Sequence, residues 1–484
     1  MLSKQEINIV WLKRDLRTQD HLPLHLAEQS NLPYLIIFIF EPLMIDYDDT
    51  SLRHLQFQYH SILQMNKKLV SVNKVVKVLQ TDIITALVSI QSQFIIKTIF
   101  SFQESGIKLT YDRDLFVRKF CNLNHIVWNE SPRDGIIRGL KNRIGWDKQW
   151  FITMQSPIIV NRFKNQDDLK FTNLYPLHDS LQTSLATFPK SFQPAGEENA
   201  FNYLTSFINE RSAYYNKHIS KPSESRKSCG RISPFLSWGN ISVKQAYQLL
   251  TNASYNSINK RSFTSILSRL KWRCHFIQKF EVDYTYENKC INAGYELLEH
   301  MSNEEYISAW KEARTGFPLV DACMKCLQET GWINFRMRAM LVSFFCHHLY
   351  QDWRAATHFL AKLFLDYEPG IHFTQFQMQA GTTGINTLRI YNPIKQSLDH
   401  DPDGSFIKKW LPILQPLPKE LIHEPFKMSL MEQSMYGVFI GKNYPCPIVD
   451  LNFTGQRARK NIWGHRTNNL VRQESKRILG THCR

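Results

Sequence analysis

The chain has 484 residues, 43% hydrophobic and 21% charged, and so exceeds what one core usually serves. No window approaches the ~20 apolar residues of a membrane span, and the first residues lack the basic-then-apolar pattern of a signal peptide. Nine scattered cysteines, an odd number, point to reduced thiols in a cytosol and away from a disulfide framework. The net charge of +16 asks for a polyanion, such as a nucleic acid; residues 1–150 hold 19 basic and 15 acidic side chains, so +12 of it lies beyond them.

The first third alternates. Apolar, β-rich runs at Ile7–Trp11, Tyr34–Phe40, Val75–Leu79, Lys97–Ser101 and His125–Trp128 are separated by helical spacing over Leu52–Leu69 and Ile83–Ile90. This pattern predicts a doubly wound parallel sheet with strands buried on both faces. It has neither a G-x-G-x-x-G nor a G-x-x-x-x-G-K-[ST] stretch, so the phosphate cradles of dinucleotide enzymes and NTPases are excluded. Residues 131–200 read as a polar, Pro-containing connector. From about Phe201 the period is helical, as in Val243–Leu250, Phe263–Phe280, Tyr306–Glu312, Leu319–Gln328, Met337–Tyr350 and Trp353–Phe364. The expected fold is therefore an α/β doubly wound domain over 1–130, a connector over 131–200, and a larger all-α domain over 201–484.

Two constellations bear chemistry. In Ser228-Cys229-Gly230-Arg231-Ile232-Ser233-Pro234, a Ser–Pro helix start follows small residues; backbone N–H groups there suit a phosphate, although a plain cap reads the same way. Ser242 and Gln245 form a capping box, a structural feature. Arg338 enters an otherwise apolar helix and calls for an anion, for which Asp366 and Glu368 are candidates. Cys323-x-x-Cys326 sits in an apolar helical stretch and reads as buried structural thiols, so no metal site is assigned.

Seven ordered segments resemble the photolyase/cryptochrome flavoproteins over nearly the full length. They are Val10-Trp11-Leu12-Lys13-Arg14-Asp15-Leu16-Arg17, Gly230-Arg231-Ile232-Ser233-Pro234-Phe235-Leu236-Ser237-Trp238-Gly239, Arg314-Thr315-Gly316-Phe317-Pro318-Leu319-Val320-Asp321-Ala322, Gly331-Trp332, Asp352-Trp353-Arg354, Arg389-Ile390-Tyr391-Asn392-Pro393 and Phe406-Ile407-Lys408-Lys409-Trp410-Leu411-Pro412. The resemblance implies an antenna domain followed by a helical domain holding U-shaped FAD. It gives the flavin phosphates and ribose to Tyr215 (or Tyr214) and to Ser228, Cys229, Gly230, Arg231, Ile232 and Ser233. Arg338 would pair with Asp366 beside the isoalloxazine, Glu368 would touch its polar edge, and His372 would face N5. Cys229 stands where the family usually has Thr, which shifts phosphate binding to backbone N–H groups and the neighbouring serines.

For DNA, the resemblance makes Trp272 the aromatic that stacks on a flipped pyrimidine dimer, with Met378 in place of the second aromatic. Arg226, Arg269, Arg336 and Arg389 would contact the nucleic acid. Arg269 replaces a dimer-contacting carboxylate, which points to different lesion handling or a preference for single strands. Of the family's tryptophan electron-transfer triad only Trp353 remains; Phe376 and His300 hold the other positions. Asn334 and Phe335 stand where (6-4) enzymes carry an essential histidine, which disfavours that repair. Gln103-Glu104-Ser105-Gly106 resembles an antenna-folate loop with Glu104 as contact; a deazaflavin, a flavin or no antenna fits as well. The implied function is blue-light-driven splitting of cyclobutane pyrimidine dimers by a monomeric, cytoplasmic, bacterial-type DNA photolyase acting on UV-damaged DNA. The rival is a cryptochrome-type receptor without repair, against which the chain shows no long C-terminal tail.

Overall fold

The structure is a computed structural model describing residues 4–165, 169–255 and 257–482. Five strands, β1 (Glu6–Leu12), β2 (Tyr34–Ile39), β3 (Val76–Leu79), β4 (Ile95–Phe102) and β5 (Val127–Ser131), form a parallel sheet in the order β3-β2-β1-β4-β5. Parallel strands need crossovers, and the helices Leu52–Leu69 and Ile83–Gln93 lie where the helical spacing predicts them. Both faces of the sheet are buried, which explains the unbroken Tyr34–Phe40 run: Ile37 packs in one layer and Ile36 and Phe38 in the other. The fifth strand starts two residues later than expected because His125 adopts a left-handed φ of 54° and turns the chain first.

The described residues of 131–200 include the helices Trp146–Gln155 and Asp179–Ala186. Leu169 and Leu185 complete opposite faces of the sheet, whereas Trp146 and Trp150 are buried with the helical region. The remainder is helical. Its long members are Lys260–Val282, with Phe335–Ser343 and Pro369–Ala380 packed nearby. Pro369 at a helix start and Gly381 in the left-handed C-cap bound the last of these. The expected Met337–Tyr350 helix divides: Phe335–Ser343 runs into a π-turn at Phe344–His348, and Tyr350 turns at φ 59°. Ser242 and Gln245 do cap each other at 2.9 Å. Ser233 is already inside the Ser233–Ser237 helix, with Ile232 at the cap, so the start lies one residue earlier than the Ser–Pro signal indicates.

The two regions dock closely. Arg14 donates to the Tyr367 carbonyl at 2.9 Å and the Leu16 amide to that of Trp238 at 3.1 Å. At that seam Gly239 has φ 72°, and an added Cβ would lie 2.3 Å from the Arg14 carbonyl oxygen; only glycine fits.

Candidate cofactor site

A cavity of about 320 Å³ opens within the helical region. On the Pro369–Ala380 helix its wall takes Ile371, His372, Gln375, Phe376 and Gln379, the i, i+1, i+4, i+5, i+8 face that 3.6 residues per turn brings together. The Lys260–Val282 helix adds Ile266, Arg269, Leu270 and Arg273 by the same spacing. Arg338 meets Asp366 through two parallel bonds of 3.0 and 2.8 Å, the fork geometry that holds a guanidinium rigid, and its cation lies 4.1 Å over the Phe364 ring. The His372 Nε2–H donates to the Thr357 carbonyl at 2.9 Å; burial pushes the ring down to about 4, so it is neutral and Nδ1 is an acceptor.

The opposite wall comprises Tyr215 and the segment from Cys229 to Ser233. Tyr215 is buried there, whereas Tyr214 is 58% exposed and does not line the cavity. Arg231 is held at φ 55° with its guanidinium 4.0 Å over the Trp332 ring, and its buried Nε has no hydrogen-bond partner. Burial, then the neighbouring Arg226, lowers its pKa to about 10. Among the described residues no carboxylate lies within 4 Å of Arg226, Arg231 or Arg269. An apolar slot lined by a fixed ion pair and by Arg231, whose cation has no carboxylate within 4 Å, is complementary to a planar ring system carrying phosphates.

Several expected site residues stand elsewhere. Ser228 lies outside the cavity; its hydroxyl donates to the Glu224 carbonyl at 2.8 Å and meets the His218 ring at 3.1 Å. Glu368 lies behind Arg273, pairing with it at 2.9 Å and with Arg133 at 3.2 Å, because a carboxylate 2% exposed needs cations and these two are the nearest. Arg226 is half-buried outside the cavity: it donates to the Trp332 carbonyl at 2.8 Å and to Thr330 at 3.2 Å and lines a separate groove with Lys325 and Lys409. Met378 is half-buried beside the cavity-facing stripe and does not line the cavity. Trp272 is 54% exposed, one turn beyond Arg269, whose side chain does reach the mouth. Arg273, Gln375 and Gln379 line the cavity but went unnoticed in sequence; the i+4 step from Arg269 to Arg273 is the signal that could have found the first.

Arg336 and Arg389 line a separate surface groove with Lys395, Arg459, Tyr391 and Trp463. Arg336 donates to the Tyr391 hydroxyl at 3.1 Å, and Arg459 and Trp463 join from the Leu451–His465 helix. Trp353 is buried with its ring 6.4 Å from that of Phe376, which stands between it and the cavity; His300 packs on Tyr350. Cys323 and Cys326 are buried, and the described residues include no group of three or more His, Cys, Asp or Glu placed to hold a metal. No described helix is long and apolar enough to cross a membrane.

A second, smaller cavity of about 100 Å³ lies at the carboxyl ends of β1 and β2, between the two regions. Glu104 lines it, paired with Arg113 at 2.7 Å and Arg14 at 3.4 Å. Burial pushes this carboxyl up, but the charges of Arg113, Lys13 and Arg14 outweigh it and hold the group at about 2. Arg113 also meets Glu41 at 3.0 Å and Asp114 at 2.8 Å.

A doubly wound domain seated on a helical domain, with one cavity shaped for a nucleotide-bearing ring system, defines a two-domain cofactor protein. The family model "FAD binding domain of DNA photolyase" matches residues 266–464 and that of "DNA photolyase" residues 8–129. A deoxyribodipyrimidine photo-lyase of Buchnera aphidicola is 26% identical over 92% of this chain and 94% of its own, and a cryptochrome DASH of Synechocystis is 25% identical over 93% and 97%. A deoxyribodipyrimidine photo-lyase of Alkalihalophilus pseudofirmus is 34% identical, but the chain spans about half of its length, 53%. The same fold appears in a class III photolyase of Agrobacterium tumefaciens (TM-score 0.82, 22% identity, 97% of this chain and 99% of that one). It appears also in an archaeal photolyase of Sulfolobus tokodaii with two FAD molecules (TM-score 0.79, 23% identity, 95% and 100%). The chain belongs to the photolyase/cryptochrome family.

Proposed function

We propose that the protein is an FAD-dependent DNA photolyase that splits cyclobutane pyrimidine dimers in blue light. The observation that carries this reading is the cavity itself, lined by the Arg338–Asp366 fork and by Arg231, which has no carboxylate within 4 Å. Backbone N–H groups of the Cys229–Ser233 stretch and the Arg231 cation would hold the FAD pyrophosphate, with Tyr215 beside the ribose. Arg338, clamped by Asp366, would orient the isoalloxazine, and neutral His372 would offer Nδ1 near N5. Reduced FAD, when bound and excited by light, supplies the electron that opens the dimer's ring bonds and receives it back. The chain's own part is to position and exclude water. Exposed Trp272 offers a stacking face for a flipped lesion, and Arg269 at the mouth presents a cation where a backbone phosphate of an extruded or single strand would pass. Arg336, Arg389 and Lys395 would follow the remaining backbone. In this reading residues 1–130 form the antenna domain, 131–200 the connector and 201–484 the FAD- and DNA-binding domain of a monomer; Glu104 would face an antenna chromophore.

A second reading, a blue-light receptor without repair, is favoured by Met378 in place of a second stacking aromatic. The test is direct. Protein with chemically reduced FAD is illuminated with dimer-containing oligonucleotides, single- and double-stranded; thymine absorbance returns on at least one. No return on either substrate rejects repair and leaves the receptor. In parallel, Arg389→Ala lowers the salt slope of DNA binding by about 1.

A further inference from the structure

The aromatic wall between the two cavities supplies a route that the sequence motifs do not. Phe376 lines the cofactor cavity and separates it from Trp353, and a phenyl ring is much harder to oxidise than an indole or a phenol. On another side of the same cavity, the His372 ring meets the Tyr367 ring edge-on at 5.3 Å. Tyr367 stacks on His54 at 5.8 Å and 19°, and His54 lies 5.6 Å from Trp238. His54, Trp238 and Tyr367 also line the second cavity. A continuous file of rings thus joins the two cavities.

Two features make Tyr367 the oxidisable member. Its hydroxyl, on a residue 3% exposed, donates to Asp49 Oδ2 at 2.5 Å, and Thr50 donates to Asp49 Oδ1 at 3.0 Å. A phenol that loses an electron becomes a strong acid, so a carboxylate already in hydrogen-bond contact removes the barrier of charge separation. Trp238 faces the reverse situation. The Arg14 guanidinium lies 4.5 Å over its ring, and a second positive charge on that indole would be repelled. Tyr367 can lose an electron and a proton together without becoming charged.

The geometry points to Tyr367 as the electron donor for light-driven reduction of the bound flavin, with Asp49 as its proton acceptor, in place of a tryptophan chain. This rests on the reading of the first cavity as the flavin site. Excited oxidised flavin would gain one electron and Tyr367 would lose one. The Tyr367 O–H bond breaks and the proton passes to Asp49 Oδ2, leaving a neutral phenoxyl radical. An external thiolate reaching the second cavity then donates one electron to the phenoxyl as the proton returns from Asp49, and the thiyl radical so formed pairs with a second one to give the disulfide.

The experiment uses the full chain loaded with oxidised FAD, under anaerobic blue light with a thiol. Tyr367→Phe and Asp49→Asn each slow flavin reduction, followed by its absorbance, at least ~10-fold, while Trp353→Phe changes it less than ~2-fold. Without thiol, wild-type samples frozen under illumination give a tyrosyl EPR signal, identified by its narrowing with deuterated tyrosine and absent in Tyr367→Phe. Wild-type rates in Tyr367→Phe, a loss in Trp353→Phe, or a radical that deuterated tyrosine does not alter overturns the assignment. If Tyr367→Phe does not retain FAD, the labelled wild-type spectrum and Asp49→Asn decide. Repair by chemically reduced protein needs no photoreduction, so the functional reading fails or stands separately.

Discussion

The two cavities solve the burial of charge in opposite ways. Around the second, Arg113, Lys13 and Arg14 are matched by Glu41, Glu104 and Asp114, while Asp49 is held by the Tyr367 and Thr50 hydroxyls. Around the first, Asp366 has Arg338, but Arg231 has the Arg226 carbonyl and the Trp332 indole face, with no carboxylate within 4 Å. A self-neutral network stabilises the interface between the domains, whereas an unneutralised one is completed by an anion from outside. The contrast separates scaffold from binding site on electrostatics alone.

The largest test of this contrast is Arg113→Ala, which strands Glu41 and leaves Glu104 and Asp114 with one cation each at the domain seam. Unfolding free energy should fall by about 3–5 kcal/mol, measured by denaturant titration, with FAD affinity of the folded fraction unchanged. Acid is the next. Burial lowers the pKa of His347 from 6.5 to about 4 and of His54 to about 3, and both are 1% exposed. Below pH 6.5 the unfolded chain therefore binds more protons than the folded one. Stability is full above that pH and is lost as pH falls toward 4, by about 3 kcal/mol for His347 alone, which a pH series of thermal melts will show. The smallest effect is the sharpest: Arg231→Gln should weaken FAD binding by about 2 kcal/mol, roughly 30-fold, while the stability of the FAD-free protein holds or rises. Destabilisation of the FAD-free form would mean that Arg231 is part of the scaffold after all.

The placement of these residues shows how far sequence reaches. Arg338 with Asp366, and the 229–233 stretch, were legible because each depends on local features: a guanidinium in an apolar helix, small residues before a Ser–Pro start. Glu368 shows that proximity in sequence to Asp366 does not imply a shared environment; Arg273 and Arg133, from distant segments, pair with it. Ser228 and Arg226 likewise lie next to the right motif yet satisfy their polar groups elsewhere. Asp366 and Tyr367 make the point within two residues, since they line different cavities.

The sequence by itself determined the sheet, the helical second half, the family and the apolar faces, because hydrophobic periodicity and short motifs are local properties that burial then enforces. Only the tertiary structure decided which charges neutralise one another and which rings touch. The contacts of Tyr367 with Asp49 and His54 span more than 300 positions, and no local pattern records such distances. They arise when the two domains dock, where exclusion of water makes each unpaired charge costly and each ring contact durable.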